Sequence, residues 1–225
     1  YAGYQSYVYE TGNLFYKKED FLLYIRGAMS QRFGVVTTEE ILHALAEDMW
    51  MRFNQRVYRQ ALADWLIDAG YTNIKLWGDG WQENEKYRAY AMGPAQNGET
   101  LSKIYQASKI VLGNNVMTTA AARAWETMLS GGFYLSNYIP PEHDAVDIRK
   151  IMELETEVAV FYDREDLLRK VSYYLCHEQE RQRMIEIGRK AALERMTYDV
   201  LMKRVIAETG KRLAAVSEAG EKEYE

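Results

Sequence analysis

Apolar residues recur at helical spacing in the first third of the chain. Over residues 41–67 they fall every three or four positions, which predicts one long helix or two shorter ones. Thr37 or Thr38, each followed by glutamates, suits the N-cap, and Gly70 suits a left-handed C-terminal cap. Before this stretch, the segment YQSYVY suggests a strand and residues 19–29 suggest a helix.

Short apolar runs bounded by Asn, Gly or Pro follow, and they predict strands at 74–77, 87–92, 109–112, 132–136 and 158–161. Helical patterns occur between and after them, at 119–130, after Asp163, at 178–195 and from Thr197 onward. In the last of these, Leu201, Val205 and Ile206 are expected to form the buried side. Because strands alternate with helices, the pattern predicts an α/β fold with a parallel sheet covered by helices on both faces.

Composition narrows the class of protein. The chain has 225 residues, of which 48% are hydrophobic, enough for one core and an appended segment. We therefore expect a tyrosine-rich helical segment at 1–72, a main domain at 73–215 and a charged tail at 216–225. The formal net charge of −5, with Lys and Arg scattered among acidic residues, argues against nucleic-acid binding.

The cysteine content and the apolar runs of the sequence bear on where in the cell the protein is located. The single cysteine, Cys176, cannot form an internal disulfide, so we expect a reducing, cytoplasmic location. No apolar run approaches the ~18 to 20 residues of a membrane span, although peripheral membrane contact is compatible with this composition. The chain begins with tyrosine, and we expect it to be a piece of a longer protein.

The loop at 113–119 is the first place to seek chemistry, because ligands of open α/β sheets bind at the carboxyl ends of the strands. The predicted helix after it starts near Thr118 and Thr119, so its free amides favour a diphosphate. Glu126 could hold a ribose diol, and Arg123, three residues earlier, could contact phosphate or ribose. The alternative is a solvated ion pair between Arg123 and Glu126.

Three segments carry a resemblance to a known family: ETLSKIYQASKIVL, TTAAARAWETMLSGGFYLSNY and the run that begins EVAVFYDREDLLRK. They resemble the carboxyl-terminal, donor-binding half of GT-B glycosyltransferases, especially the spore-maturation-protein type, over about residues 73–212. The family motif R-x-[FW]-E-x-x-x-[SAC]-G-G is matched by Arg123, Trp125, Glu126 and Ser130-Gly131-Gly132. The resemblance implies a Rossmann-like domain in which Glu126 holds the ribose of a nucleotide sugar.

The resemblance also implies a set of donor contacts. Backbone of Met92, Gly93 and Pro94 would contact the base. The turn Gly78-Asp79-Gly80-Trp81 resembles the family's G-x-G-W, which places Gly80 and Trp81 at the same rim; Trp81 could instead be a capping aromatic. The diphosphate would be bound by Arg123 and by amides at Met117, Thr118, Thr119 and Ala120. Many relatives have a second glutamate where this chain has Thr118, which leaves the sugar and the stereochemical outcome open.

The expected function is transfer of a sugar from a nucleotide-diphosphate sugar to an unknown acceptor, with Arg123 and Glu126 as the active residues. No tightly bound cofactor is expected, and because no Asp-x-Asp motif occurs we expect metal independence. The resemblance implies that the acceptor site lies in a missing amino-terminal domain. Two alternatives stay open: a non-catalytic nucleotide-binding or scaffold domain of the same fold, and a flavodoxin-like regulatory domain.

Overall fold

The computed structural model describes residues 2–12, 14, 17–34 and 38–222. The helices in these ranges are α1 (Ala2–Thr11), α2 (Lys18–Phe33), α3 (Glu39–Asp68), α4 (Glu85–Arg88), α5 (Glu99–Ala107), α6 (Ala122–Ser130), α7 (Arg164–Cys176), α8 (Glu178–Arg195) and α9 (Tyr198–Lys222). The strands are β1 (Leu76–Trp77), β2 (Ala91–Gly93), β3 (Val111–Leu112), β4 (Tyr134–Asn137) and β5 (Ala159–Phe161).

All strand pairs in the described sheets are parallel, as predicted, but they form two small sheets instead of one. β1 pairs with β2, and β3, β4 and β5 form a separate sheet in that order. Helices α6 and α7 pack against the second sheet. The result is a helix-rich α/β fold consistent with a Rossmann-like domain that follows a helical N-terminal segment.

The predicted strand in YQSYVY is wrong, because this segment lies in helix α1. Tyr4 and Val8 are both fully buried, and a spacing of four residues places them on one helical face. The long apolar stretch is a single helix, α3. Thr37 lies outside the described residues, and Thr38 is at the N-cap position without a side-chain cap hydrogen bond. Gly70 has the predicted left-handed backbone, with φ +87°.

One apolar cluster joins the N-terminal helices to the second sheet. It contains Tyr4 of α1, Trp65 of α3, Leu135 of β4 and Phe161 of β5, so the segment before residue 73 packs in the same core as the strands. At the other side of α3, the buried carboxylate of Asp64 accepts a hydrogen bond from the Tyr87 hydroxyl at 2.9 Å. Helix α3 therefore shares a core with the second sheet and is tied to α4, which lies between the strands of the first sheet in the chain.

Helix α9 differs from its prediction. It begins after Thr197, as expected, and the Thr197 hydroxyl accepts a weak hydrogen bond from the Val200 amide at 3.4 Å. However, Val205 and Ile206 are 55% and 67% exposed, so the side predicted to be buried faces outward. Amphipathic spacing identified the helix correctly but could not show what covers its apolar face.

Candidate functional site at the strand ends

The residues predicted to contact the base gather at the carboxyl end of the first sheet. The Gly78 amide donates to the Gly93 carbonyl at 2.8 Å, which ties the turn after β1 to the end of β2. Trp81 is half-buried and packs edge-on against Tyr87 at 5.2 Å between ring centroids. Met92 is 43% exposed at the same edge. The turn that contains Trp81 and the segment that begins at Met92 therefore lie at one rim of the sheet, and Trp81 also has a packing role there.

The second predicted group surrounds helix α6. Glu126 is exposed on this helix. The buried Tyr105 of α5 donates a hydrogen bond from its hydroxyl to Glu126 Oε2 at 3.3 Å. Burial and the negative charge of Glu126 raise the pKa of Tyr105, whereas the positive charge of Arg123 opposes this shift. Tyr105 thus remains a neutral donor that orients the carboxylate.

Two glycines place Tyr105 beside α6. Gly131 ends the helix with φ +84°, which confirms the predicted left-handed cap. At Gly132 a Cβ atom would lie 2.9 Å from the Tyr105 carbonyl oxygen and 2.9 Å from the Thr127 side chain. Because only glycine fits there, the Ser-Gly-Gly turn allows α5 to pack closely on α6 and brings Tyr105 to Glu126.

Arg123 points to the end of strand β3 instead of forming an ion pair with Glu126. Its guanidinium donates a hydrogen bond to the Asn114 side chain. Among the described residues, none of the ion pairs involves Arg123. The alternative interpretation as a solvated Arg123–Glu126 ion pair is therefore wrong, and no carboxylate of the described residues lies within ion-pair distance of the Arg123 guanidinium.

A second arginine reaches the same region from helix α3. Burial of part of its side chain and the positive charge of Arg123 both lower the pKa of Arg59, although the residue retains an exposed surface. Within the part of the chain that the structure describes, Arg59 has no carboxylate partner. Two positive charges from different elements thus lie close enough to repel each other, an arrangement that an anion would stabilise.

The start of α6 differs from the prediction. The helix begins at Ala122, with Ala121 as the N-cap, and not near Thr119. The Thr119 amide donates to Asp144 Oδ1 at 3.0 Å, and the Ala120 amide donates to the Val146 carbonyl at 3.0 Å. These two amides already have acceptors, so the amides of the first helical turn, at Ala122 and Arg123, are the ones without an intrahelical acceptor.

The loop after β3 is braced from the next strand. Asn137 at the end of β4 is buried; its Oδ1 accepts from the Asn115 amide at 3.0 Å, and its Nδ2 donates to the Asn115 carbonyl at 2.7 Å. Asn115 Nδ2 in turn donates to the Tyr134 hydroxyl at 3.3 Å. Burial raises the pKa of Tyr134 to about 12, so its hydroxyl stays protonated. This brace holds Asn114, and through it Arg123, in place.

A protein-family model described as glycosyl transferase-like matches residues 52–207, which is more than half of the chain. The chain belongs to this glycosyl transferase-like family. No curated protein matches it. The family match begins within α3 and therefore includes Arg59 together with both sheets and the predicted donor contacts.

Over residues 2–12, 14, 17–34 and 38–222, no group of three or more His, Cys, Asp or Glu side chains is arranged to hold a metal ion. None of the helices in the same ranges is both long and apolar enough to cross a membrane.

Sequence reasoning missed three residues at the site: Arg59, Asn137 and Asp144. Asn137 ends β4, and a polar residue at a strand end is a usable signal, whereas Asp144 lies well inside the loop after β4. Asp144 is buried and accepts from both the amide and the hydroxyl of Thr119, the latter at 2.5 Å. Arg59 had no local signal, because only the packing of α3 brings it near Arg123.

Replacing Asn137 with alanine is expected to lower the free energy of unfolding by about 2 kcal/mol, because the Asn115 amide and carbonyl would lose their partner. Asn137→Asp retains the acceptor but cannot donate to the Asn115 carbonyl, so it should also destabilise the loop. Chemical denaturation would measure the loss, and hydrogen exchange at the Asn115 amide would locate it. Unchanged exchange at Asn115 in the alanine variant would contradict the brace.

Proposed function

We propose that this chain is the donor-binding half of a GT-B glycosyltransferase of the spore-maturation type, and that it transfers a sugar from a nucleotide-diphosphate sugar to an acceptor hydroxyl. The observation that supports this most strongly is that Arg123 and Arg59 lie close together, that neither has an ion-pair partner among the described residues, and that the exposed carboxylate of Glu126 is one helical turn from Arg123. Anionic diphosphate and a neutral diol are the ligand groups that fit these charges.

In this proposal Glu126 accepts hydrogen bonds from the two ribose hydroxyls. A carboxylate has two oxygens and can accept from both hydroxyls of a diol at once. The Tyr105 hydroxyl, 3.3 Å from Glu126 Oε2, occupies one lone pair and orients the group, which leaves the solvent-facing side for the ligand.

The diphosphate would lie between the arginines and the first turn of α6. When an acceptor oxygen bonds to the anomeric carbon, the bond from that carbon to the diphosphate oxygen breaks, and its electron pair stays on the diphosphate. The two guanidinium groups and the amides of Ala122 and Arg123 would stabilise that charge. In this arrangement the protein supplies the positive charge itself, so we propose a metal-independent reaction.

The base would lie at the rim of the first sheet, near Gly80, Trp81 and Met92 to Pro94. Helix α5 supports this assignment, because it starts at Glu99, shortly after that rim, and carries Tyr105 to Glu126. The roles of Met117 and Thr118 remain as inferred from the resemblance. The acceptor would bind to the amino-terminal domain of the GT-B arrangement. That domain would also provide the general base that removes the proton of the acceptor hydroxyl.

Calorimetric titration with UDP, GDP, CDP and their common sugar conjugates tests the proposal. We expect saturable binding of one nucleotide, and a loss of affinity of about tenfold or more in Glu126→Ala, because a charge-assisted hydrogen bond contributes about 1.5–3 kcal/mol. Glu186→Ala, which removes an exposed glutamate from α8, is the matched control and should bind normally.

The opposite results are equally informative. Equal affinities of the wild type and Glu126→Ala for the nucleotide would remove Glu126 from the ribose site. If no member of the panel binds to a folded sample, the donor site itself is contradicted, and the scaffold alternative becomes the better explanation.

A further inference from the structure

A cavity lies between helix α3 and the loops that follow β3 and β4. Its volume is about 160 Å³, whereas a single water needs only about 10–15 Å³ by the same measure. Trp50 of α3, Val116 and Met117 form its apolar walls, and Glu142 and His143 contribute polar groups. A small organic group therefore fits between the N-terminal helical segment and the strand-end loops.

The walls of this cavity are held in place by the chain itself. The Ala145 amide donates to the Met117 carbonyl at 2.9 Å, which ties the loop after β4 to the loop after β3. Asp144 holds Thr119 through two hydrogen bonds. The cavity is thus a built feature of the two loops and does not depend on a single flexible side chain.

The cavity adjoins the proposed diphosphate site. Asn114, which accepts from Arg123, and Met117, which lines the cavity, are three residues apart in one loop, so their Cα atoms are at most about 11 Å apart. The cavity and the Arg123 contact thus belong to one short loop, and a group joined directly to a diphosphate at Arg123 is the part of the ligand nearest to that loop. In a nucleotide sugar the group on the far side of the diphosphate from the ribose is the sugar.

The lining also suits a sugar ring. The faces of a pyranose are largely C–H groups that pack on an aromatic ring, and its rim carries hydroxyl donors. Trp50 and Met117 supply apolar surface, with Met117 47% exposed. The Glu142 carboxylate, 3.9 Å from His143 Nε2, is an acceptor for hydroxyl groups. The carboxylates of Glu142 and Asp144 both belong to the lining and disfavour a phosphate there.

We propose that this cavity binds the sugar ring of the donor, with Trp50 stacked on the ring and Glu142 accepting hydrogen bonds from its hydroxyls. The inference rests on the proposed function and extends it, because it gives α3 a direct role in choosing the sugar. Trp50 precedes the part of the chain that matches the family model.

Calorimetry on the full chain would compare a nucleoside diphosphate with its sugar conjugate. Trp50→Ala should weaken binding of the conjugate roughly tenfold and leave binding of the diphosphate within about twofold. Trp50→Phe should restore most of the difference, since it keeps an aromatic face. Tyr198→Ala, which removes an 86% exposed aromatic side chain from α9, is the control and should change neither affinity.

Two results would overturn the assignment while leaving the donor site intact. Equal losses for the diphosphate and its conjugate in Trp50→Ala would mean that Trp50 contacts the base or ribose. No change for either ligand would mean that the cavity is not used. Glu142→Gln is a second test of the cavity, because it should weaken binding of the sugar conjugate and leave binding of the diphosphate unchanged.

Saturation-transfer NMR with free glucose, galactose, mannose and N-acetylglucosamine tests the cavity even if no nucleotide binds. Transfer to one sugar in the wild type and in Trp50→Phe, but not in Trp50→Ala, would support the cavity independently of the proposed function. Absence of transfer to every sugar, together with absence of nucleotide binding, would overturn both proposals.

Discussion

Replacing Arg123 with glutamine is expected to weaken binding of a nucleoside diphosphate by about 10- to 100-fold and to change binding of the corresponding nucleoside by no more than about twofold. The reason is that Arg123 carries a positive charge to the end of β3 and has no carboxylate within 4.0 Å among the described residues. A charge-assisted hydrogen bond to phosphate contributes about 1.5–3 kcal/mol. Calorimetry with the nucleoside, its monophosphate and its diphosphate would separate the phosphate contribution from the rest.

Arg59→Gln should give a smaller loss in the same direction, because Arg59 acts on the same anion from helix α3. It should also leave the melting temperature of the ligand-free protein unchanged or raise it, since one of two repelling charges is removed. Added diphosphate should then stabilise the variant less than the wild type. Arg204→Gln, at an exposed site on α9, controls for the general loss of positive charge.

These measurements can contradict the assignment clearly. If Arg123→Gln weakens nucleoside and diphosphate binding equally, Arg123 acts on the ribose or on loop structure and not on phosphate. If Arg59→Gln destabilises the free protein, the arginine has a packing role that outweighs the repulsion from Arg123.

Gly188→Ala is expected to lower the free energy of unfolding by about 2 kcal/mol. Gly188 lies inside α8, where the helix crosses the segment before β5, and a Cβ atom there would be 2.3 Å from the Glu157 carbonyl oxygen and 2.9 Å from the Met128 side chain. Alanine would favour the helix by up to about 1 kcal/mol. The forced displacement of backbone costs more, since overpacking typically costs about 1–3 kcal/mol and sometimes more.

Gly210→Ala is the matched control for this prediction. Gly210 also lies within a helix, α9, but a Cβ atom there would have no heavy atom within 4 Å in the described structure. This variant should be neutral or more stable by up to about 1 kcal/mol. Urea denaturation of both variants at pH 7 would suffice, and equal stabilities would show that α8 moves away from Glu157 without cost.

The elements with regular signals were predictable. Helix α8 has the predicted bounds, 178–195, and the Asp163 side chain caps α7 by accepting from the Asp166 amide at 2.9 Å. Four of the predicted parallel strands are present, although they are shorter than expected. The strand predicted at 87–92 is wrong in its first part, because Tyr87 and Arg88 lie in α4 and β2 begins only at Ala91. The apolar runs of the strands and the Gly and Pro residues that bound them are local properties, which the chain carries whatever surrounds it.

Predictions were less successful where contacts with distant residues decide the local conformation. The tyrosine-rich segment became helix α1 because α3 offers a surface for Tyr4 and Val8. The expected helix start near Thr119 moved to Ala122 because Asp144 and the Val146 carbonyl bind the preceding amides. In both cases a long-range partner decided between local conformations that the sequence allows.

The sequence alone determined the family resemblance, the parallel α/β class and the motif that contains Arg123 and Glu126, because each depends on residue types at short and regular spacing. Only the tertiary structure decided that Arg123 bonds to Asn114 and not to Glu126, that Arg59 comes from α3 to face it, and that Trp50 closes a cavity beside them. Most of these relations join residues that are far apart in the chain, and no short-range spacing encodes how helix α3 packs on the elements that follow it.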